Sequence, residues 1–188
     1  MTRALFHYDL RSPHAWLAAE RISGVFAGAE ATPPEWRPVL IPPAPMTDQE
    51  RLDFEQLARS RGLPDPRWPK PASGDGEVDW DRAALGVLYA AEAGRVIAVT
   101  LAAFRQQFAG GRDIGDPDTI LIAAASCELH PNAVSRGIES RAIVDRLEAN
   151  TAEAQALGVT DTPSVSVGDR VFVGEDALES AARASVAG

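Results

Sequence analysis

The stretch Phe6-His7-Tyr8-Asp9-Leu10-Arg11-Ser12-Pro13-His14-Ala15-Trp16-Leu17 constrains this chain more than any other. From Arg3 to Asp9, Ala4, Phe6 and Tyr8 fall on one face and Leu5 and His7 on the other, the alternation of a short strand. A helix is expected at once after it. Ser12 can cap an orphan backbone N–H one turn in, and Pro13 suits the first helical position, where no N–H is needed. Ala15, Ala19, Ile22 and Phe26 recur at helical spacing, and Gly28 is a stop signal. A hydroxyl thus sits where a strand empties onto a helix N-terminus, where the macrodipole favours an anion. Ser-Pro is also an ordinary helix start, so a second motif is needed to give the first a function.

Composition removes several classes. A chain of 188 residues with 45% hydrophobic and 24% charged residues reads as one well-buried soluble domain, or a domain with a large insertion. Its net charge of −9, with no basic run, argues against nucleic acid as a partner. No segment reaches the ~20 apolar residues of a membrane span, and the first residues lack a signal-peptide core, so a cytoplasmic location is expected. Cys127 is the only cysteine, which rules out dithiol cycling within one chain. No histidine and carboxylate set has metal-ligand spacing, and no Gly-rich phosphate loop follows a strand.

After the first helix, Trp36 to Ile41 reads as a second strand, placed at a sheet edge by Pro38. Strand, helix and strand imply a right-handed parallel crossover. Thr47-Asp48-Gln49-Glu50 has capping-box spacing and starts a helix to about Arg61, with Gly62 ending it. Leu63 to Gly76, with Pro64, Pro66, Pro69 and Pro71, is a loop that Trp68 is expected to pin. Helical patterns follow through Trp80–Ala91, Ile97–Phe108 and, behind Asp116-Pro117, Ile122–Leu129. A last long one reaches Leu157 through Ile143, Leu147 and Ala154. Val165 and Val167, the turn Gly168-Asp169, and Val171 to Val173 form a β-hairpin, and a helix from Glu175 to Val186 closes the chain.

A strand ending at Ser12-Pro13-His14-Ala15, and a later Gly158-Val159-Thr160-Asp161-Thr162-Pro163 leading into a hairpin, together resemble the thioredoxin-fold branch of DsbA-like proteins. Within it the chain is most similar to kappa-class glutathione transferases and 2-hydroxychromene-2-carboxylate isomerases. Ser12-Pro13-His14-Ala15 looks like a Cys-Pro-His-Cys motif with both sulfurs lost. The resemblance implies an α/β thioredoxin-like fold, βαβ then αββα, with an inserted all-helical subdomain. Residues 1–45 and 151–188 would form the first unit and 46–150 the second.

The resemblance also implies a function. The family's late proline is cis, by position Pro163, and Gly174-Glu175-Asp176-Ala177 matches a Gly-x-Asp-Arg motif in all but the arginine. Glutathione would bring its own sulfur as cofactor to a small-molecule substrate. Ser12 would donate to that sulfur at the helix N-terminus, which favours the thiolate. Thr162, ahead of Pro163, would pair with the tripeptide backbone, and Glu175 or Asp176 would receive its ammonium group. The inserted helices would roof an apolar pocket, and relatives of this branch are commonly dimers. His14 is suited to acid/base chemistry and equally to being an exposed helical residue. A second reading, favoured by Asp161, Ala177 and the lack of a lysine after Ile41, is an interaction module that has lost its redox chemistry. A third routes oxidoreduction through Cys127, which the sequence places on an apolar helix as a buried thiol. His7 reads as a packed or surface histidine, and His130 as the end of a helix.

Overall fold

The computed structural model describes residues 2–69 and 79–187. Strand β1, Ala4–Tyr8, runs into helix α1, Pro13–Gly28, and the chain returns as β2, Glu35–Pro38. Six helices follow: α2 Asp48–Ser60, α3 Trp80–Glu92, α4 Val96–Phe104, α5 Pro117–Ser126, α6 Pro131–Ile138 and α7 Arg141–Ala156. The hairpin β3, Ser164–Val167, and β4, Arg170–Val173, leads to α8, Leu178–Ala187. The sheet order is β2-β1-β3-β4, with β1 parallel to β2 and antiparallel to β3. This is the thioredoxin-like arrangement with helices inserted between β2 and β3.

The alternation in β1 decides how the layers stack. Phe6 pairs with Trp36 on one side and Val165 on the other, so Ala4, Phe6, Tyr8, Trp36, Val165 and Val167 share one face. All six are buried and join α1, α8 and the inserted helices in one continuous core. Phe6 stacks on Tyr8 at 5.2 Å and meets Trp36 edge-on at 5.1 Å. The Tyr8 hydroxyl, deep in this core, is satisfied by Thr100 Oγ1 at 2.8 Å, which ties the sheet to α4. Its phenol pKa is pushed upward by desolvation.

The opposite face carries His7, Arg37 and Ser166 under the C-terminal half of α7. His7 Nε2 lies 2.9 Å from Ser166 Oγ, and Arg37 pairs with Glu35 and with Glu153 of α7. Asn150 Nδ2 donates to the Pro38 carbonyl at 3.3 Å, and Leu40 N donates to Thr151 Oγ1 at 3.0 Å. Helix α7 thus passes without a break through residues 150 and 151, its first half packed on α3 through Ile143 and Leu147 and its second half on the sheet.

Some elements differ from the sequence expectation. Strand β2 ends before the expected Ile41 because, past Val39, the Leu40 N–H donates to Thr151 of α7 and not to β1. The helix expected to run through Phe108 loosens into a π turn, Arg105–Ala109. The separate helix α6 was not anticipated; it is only 8 residues long and contains Gly137, where a Cβ would meet the Tyr89 ring at 2.1 Å. His130 is therefore not at a helix end: it caps the start of α6, its Nδ1 accepting from Asn132 N at 3.2 Å. Cys127 caps the end of α5 and is half-buried, not sunk in a helix. A 3-10 turn, Glu175–Ala177, precedes the last helix, which begins only at Leu178. Trp68 pins its loop as expected, its Nε1 donating to Glu55 at 2.9 Å and its ring packed on Phe54. The rest of that loop from residue 70 on, Pro71 included, lies outside the described residues.

Candidate active site

The turn between β1 and α1 is held by its own side chains. Ser12 N donates to the Asp9 carbonyl at 3.0 Å, while Arg11 reaches back to Asp9 with its backbone N–H at 2.9 Å and its guanidinium at 2.8 and 2.6 Å. Ser12 is thereby fixed in extended backbone as the cap of α1, and Pro13 fills the first helical position. Its hydroxyl accepts from Ala15 N at 3.2 Å and donates to the Thr162 carbonyl at 2.9 Å. Residues 150 positions apart thus meet through one hydroxyl. The Thr162-Pro163 peptide bond is cis.

These groups lie at the base of a cleft of about 790 Å³. Its walls are α1 with Ser12 and His14, the segment Pro43–Met46, α2 with Phe54 and Arg61, and the two chain pieces around Pro163 and Glu175. The structure therefore brings Ser12, His14, Thr162, Pro163, Glu175 and Asp176 to one cavity. Their availability differs. Thr162 is buried, its N–H spent on Asp161 Oδ1 at 2.7 Å and its carbonyl accepting from Ser12, so its one backbone donor is not open to a peptide ligand as arranged. Glu175 is 6% exposed and its carboxylate is shared by Arg21 and Arg61, the latter at 2.9 Å. Asp176 is exposed and makes no hydrogen bond or ion pair among the described residues.

His14 stands at the mouth of the cleft, its ring edge-on to Phe54 at 5.1 Å. Desolvation by that wall lowers its pKa, and Glu175, Asp161 and Asp176 partly oppose the shift. The shift favours the neutral imidazole, a proton acceptor. A smaller groove of about 350 Å³ adjoins the cleft across Pro43–Met46, lined by Trp68, Phe108, Met46 and Arg51, whose guanidinium lies over the Trp68 ring at 5.4 Å. Gln107 lines it too, held by the π turn between the Leu10 carbonyl at 3.1 Å and Ile114 N at 3.0 Å. Among the described residues no group of three or more His, Cys, Asp or Glu side chains could hold a metal ion, and no helix is long and apolar enough to cross a membrane.

Sequence reasoning missed Arg61, Arg21, Phe54 and Gln107. Arg61 offered one signal, a basic residue at the end of a predicted helix; the pairing that gives it a place joins positions 114 apart in the chain. Cys127 is absent from the lining of both cavities.

Comparison with known proteins agrees with the topology. A model of the DSBA-like thioredoxin domain matches residues 5–185. A 2-hydroxychromene-2-carboxylate isomerase structure superposes with a TM-score of 0.72 at 18% identity, covering 92% of this chain and 89% of that one. A probable DsbA oxidoreductase from Streptomyces coelicolor gives 0.76 at 19% identity, covering 100% and 89%. The cytosolic disulfide reductase DsbM from Pseudomonas aeruginosa, with GSH, gives 0.67 at 16% identity, covering 98% and 96%. No curated protein sequence matches significantly. At these identities the likeness speaks for the fold.

Proposed function

Since this chain belongs to the DSBA-like thioredoxin family, we propose that it is a glutathione-dependent isomerase or transferase for a small apolar or aromatic substrate, with Ser12 meeting the sulfur. One observation carries the reading: a buried hydroxyl caps α1 at the base of an open cleft, beside Pro163. Glutathione, when bound, supplies a thiolate nucleophile that the chain itself lacks there.

The residues present fit that group at two ends. Ser12 and the α1 N-terminus suit a sulfur anion, and exposed Asp176 suits an ammonium. The Ser12 proton now points at the Thr162 carbonyl, and rotation about Cβ–Oγ would re-aim it into the cleft while the oxygen keeps its cap on Ala15 N. His14 is placed to accept a proton at the mouth. The groove around Trp68 and Phe108 would orient an apolar substrate and exclude water from it. A reducing compartment, the cytoplasm, fits such chemistry.

Calorimetric titration with glutathione tests the proposal, with binding expected below millimolar concentration. Ser12→Ala should then cut kcat/KM with an electrophilic aromatic substrate by roughly 10- to 100-fold, as for loss of one anion-stabilising donor. No heat up to millimolar glutathione would defeat it. The second reading, an interaction module, draws on the engaged Thr162 amide and the paired Glu175. It predicts indifference to Ser12→Ala.

A further inference from the structure

We infer that Arg61 is the anchor for a ligand carboxylate in this cleft, and that Glu175 is its positioning residue and touches no ligand. The inference rests on reading the cleft as a glutathione-type site and names the part of the ligand that each side chain takes. His14 aside, Arg61 is the one basic side chain among the described residues lining the cleft. It extends from the end of α2 and is 35% exposed. A single N–H is spent on Glu175 Oε1 at 2.9 Å, which leaves the rest of the guanidinium fork facing the cavity.

Glu175 is built to hold that fork still. It is 6% exposed, its second oxygen is taken by Arg21, and its backbone carbonyl accepts from Arg21 at 3.0 Å. Arg21 is braced in turn by Glu179 at 2.6 Å. A chain of charge-assisted bonds therefore runs from α8 through α1 to the wall of the cleft and ends on Arg61. An ammonium reaching Glu175 would have to displace one of these partners. Asp176, exposed and unengaged among the described residues, is the open acceptor for it. With Asp53 and Asp161 also on the lining, Arg61 is the side chain of these walls that favours a carboxylate. The ligand class is thus a peptide-like zwitterion, its C-terminal carboxylate at Arg61 and its ammonium at Asp176.

S-methylglutathione, which has no thiol, and its glycyl ethyl ester, which lacks one carboxylate, separate this inference from the role of Ser12. Calorimetry on the wild type should show the acid bound about tenfold more tightly than the ester. Arg61→Met should abolish that preference, Arg61→Lys retain part of it, and Glu175→Gln weaken the acid while leaving the ester unchanged. Arg61 is half-exposed, so its variants should fold even where Glu175→Gln does not. Binding of neither compound, equal binding of both by the wild type, or a preference that survives in Arg61→Met would overturn the anchor. A preference lost in Arg61→Met, with a glutathione thiol indifferent to Ser12→Ala, would keep the anchor and sink the proposed chemistry.

Discussion

The surroundings of a sulfur placed against Ser12 contain opposing charges. The α1 N-terminus favours the thiolate, and Asp161, one residue before Thr162, disfavours it. Asp161→Asn keeps a carbonyl oxygen for the Thr162 amide and removes only the charge. The thiol pKa of bound glutathione, read by thiolate absorbance, should fall by about 0.5–1 unit; a rise or no change would show that Asp161 is not part of the sulfur's environment. His7 supplies a residue-scale test of the fold. Its pKa is lowered from 6.5 to about 4, first by desolvation and then by Arg37, with Glu153 opposing. Between those values the unfolded chain binds a proton that the folded chain refuses. The contribution of His7 to stability is therefore fully present above pH 6.5 and is lost as the pH falls toward 4, by on the order of 3 kcal/mol. Urea unfolding at both ends of that window should show a shallower loss in His7→Asn than in the wild type; equal losses would contradict it. Ser12, Pro163 and Asp176 were legible because each belongs to a local motif. The engagement of Glu175 by Arg21 and Arg61 was not, because it is set by three elements meeting in space.

At the scale of elements, α2 is the least anchored wall of the cleft. Of its 13 residues only Phe54 and Ala58 are buried. The Phe54 ring meets His14 at 5.1 Å, Trp68 at 5.6 Å and Trp16 at 6.5 Å, so one side chain joins α2 to α1 and to the Trp68 loop. Phe54→Ala should accelerate amide exchange across residues 48–60 by about tenfold or more, with β1 and β3 unaffected; unchanged exchange there would mean that Phe54 is not what holds the helix. The capping box at Thr47 and Glu50 fixed where this helix starts, and both of its bonds form. The π turn at Arg105–Ala109 had no such marker. It follows from the pull of Gln107 toward Leu10 and Ile114, contacts that no periodicity records. The short helix α6 escaped for a related reason, its start being written in His130-Pro131 but its packing in the clearance that Gly137 gives to Tyr89.

For the whole molecule, the insertion and the sheet share one core, from Phe6 and Trp36 through Phe104 to Ile120. The cleft therefore lies between parts that stabilise each other, with α1 aimed at its base and α2 along its side. The succession of strands and helices along the chain was readable from alternation and turn residues, and the edge place of β2 from Pro38. The closeness of β1 to β3, which brings Ser12 to Thr162, came from the resemblance of two motifs and not from periodicity. The most direct measurement is the pH titration of thiolate absorbance near 240 nm for glutathione bound to the wild type and to Ser12→Ala. The bound thiol pKa should lie at least about 1 unit below the ~8.5 of a free thiol in the wild type and return most of the way in the variant. A bound thiol that titrates like the free one in both proteins would contradict it.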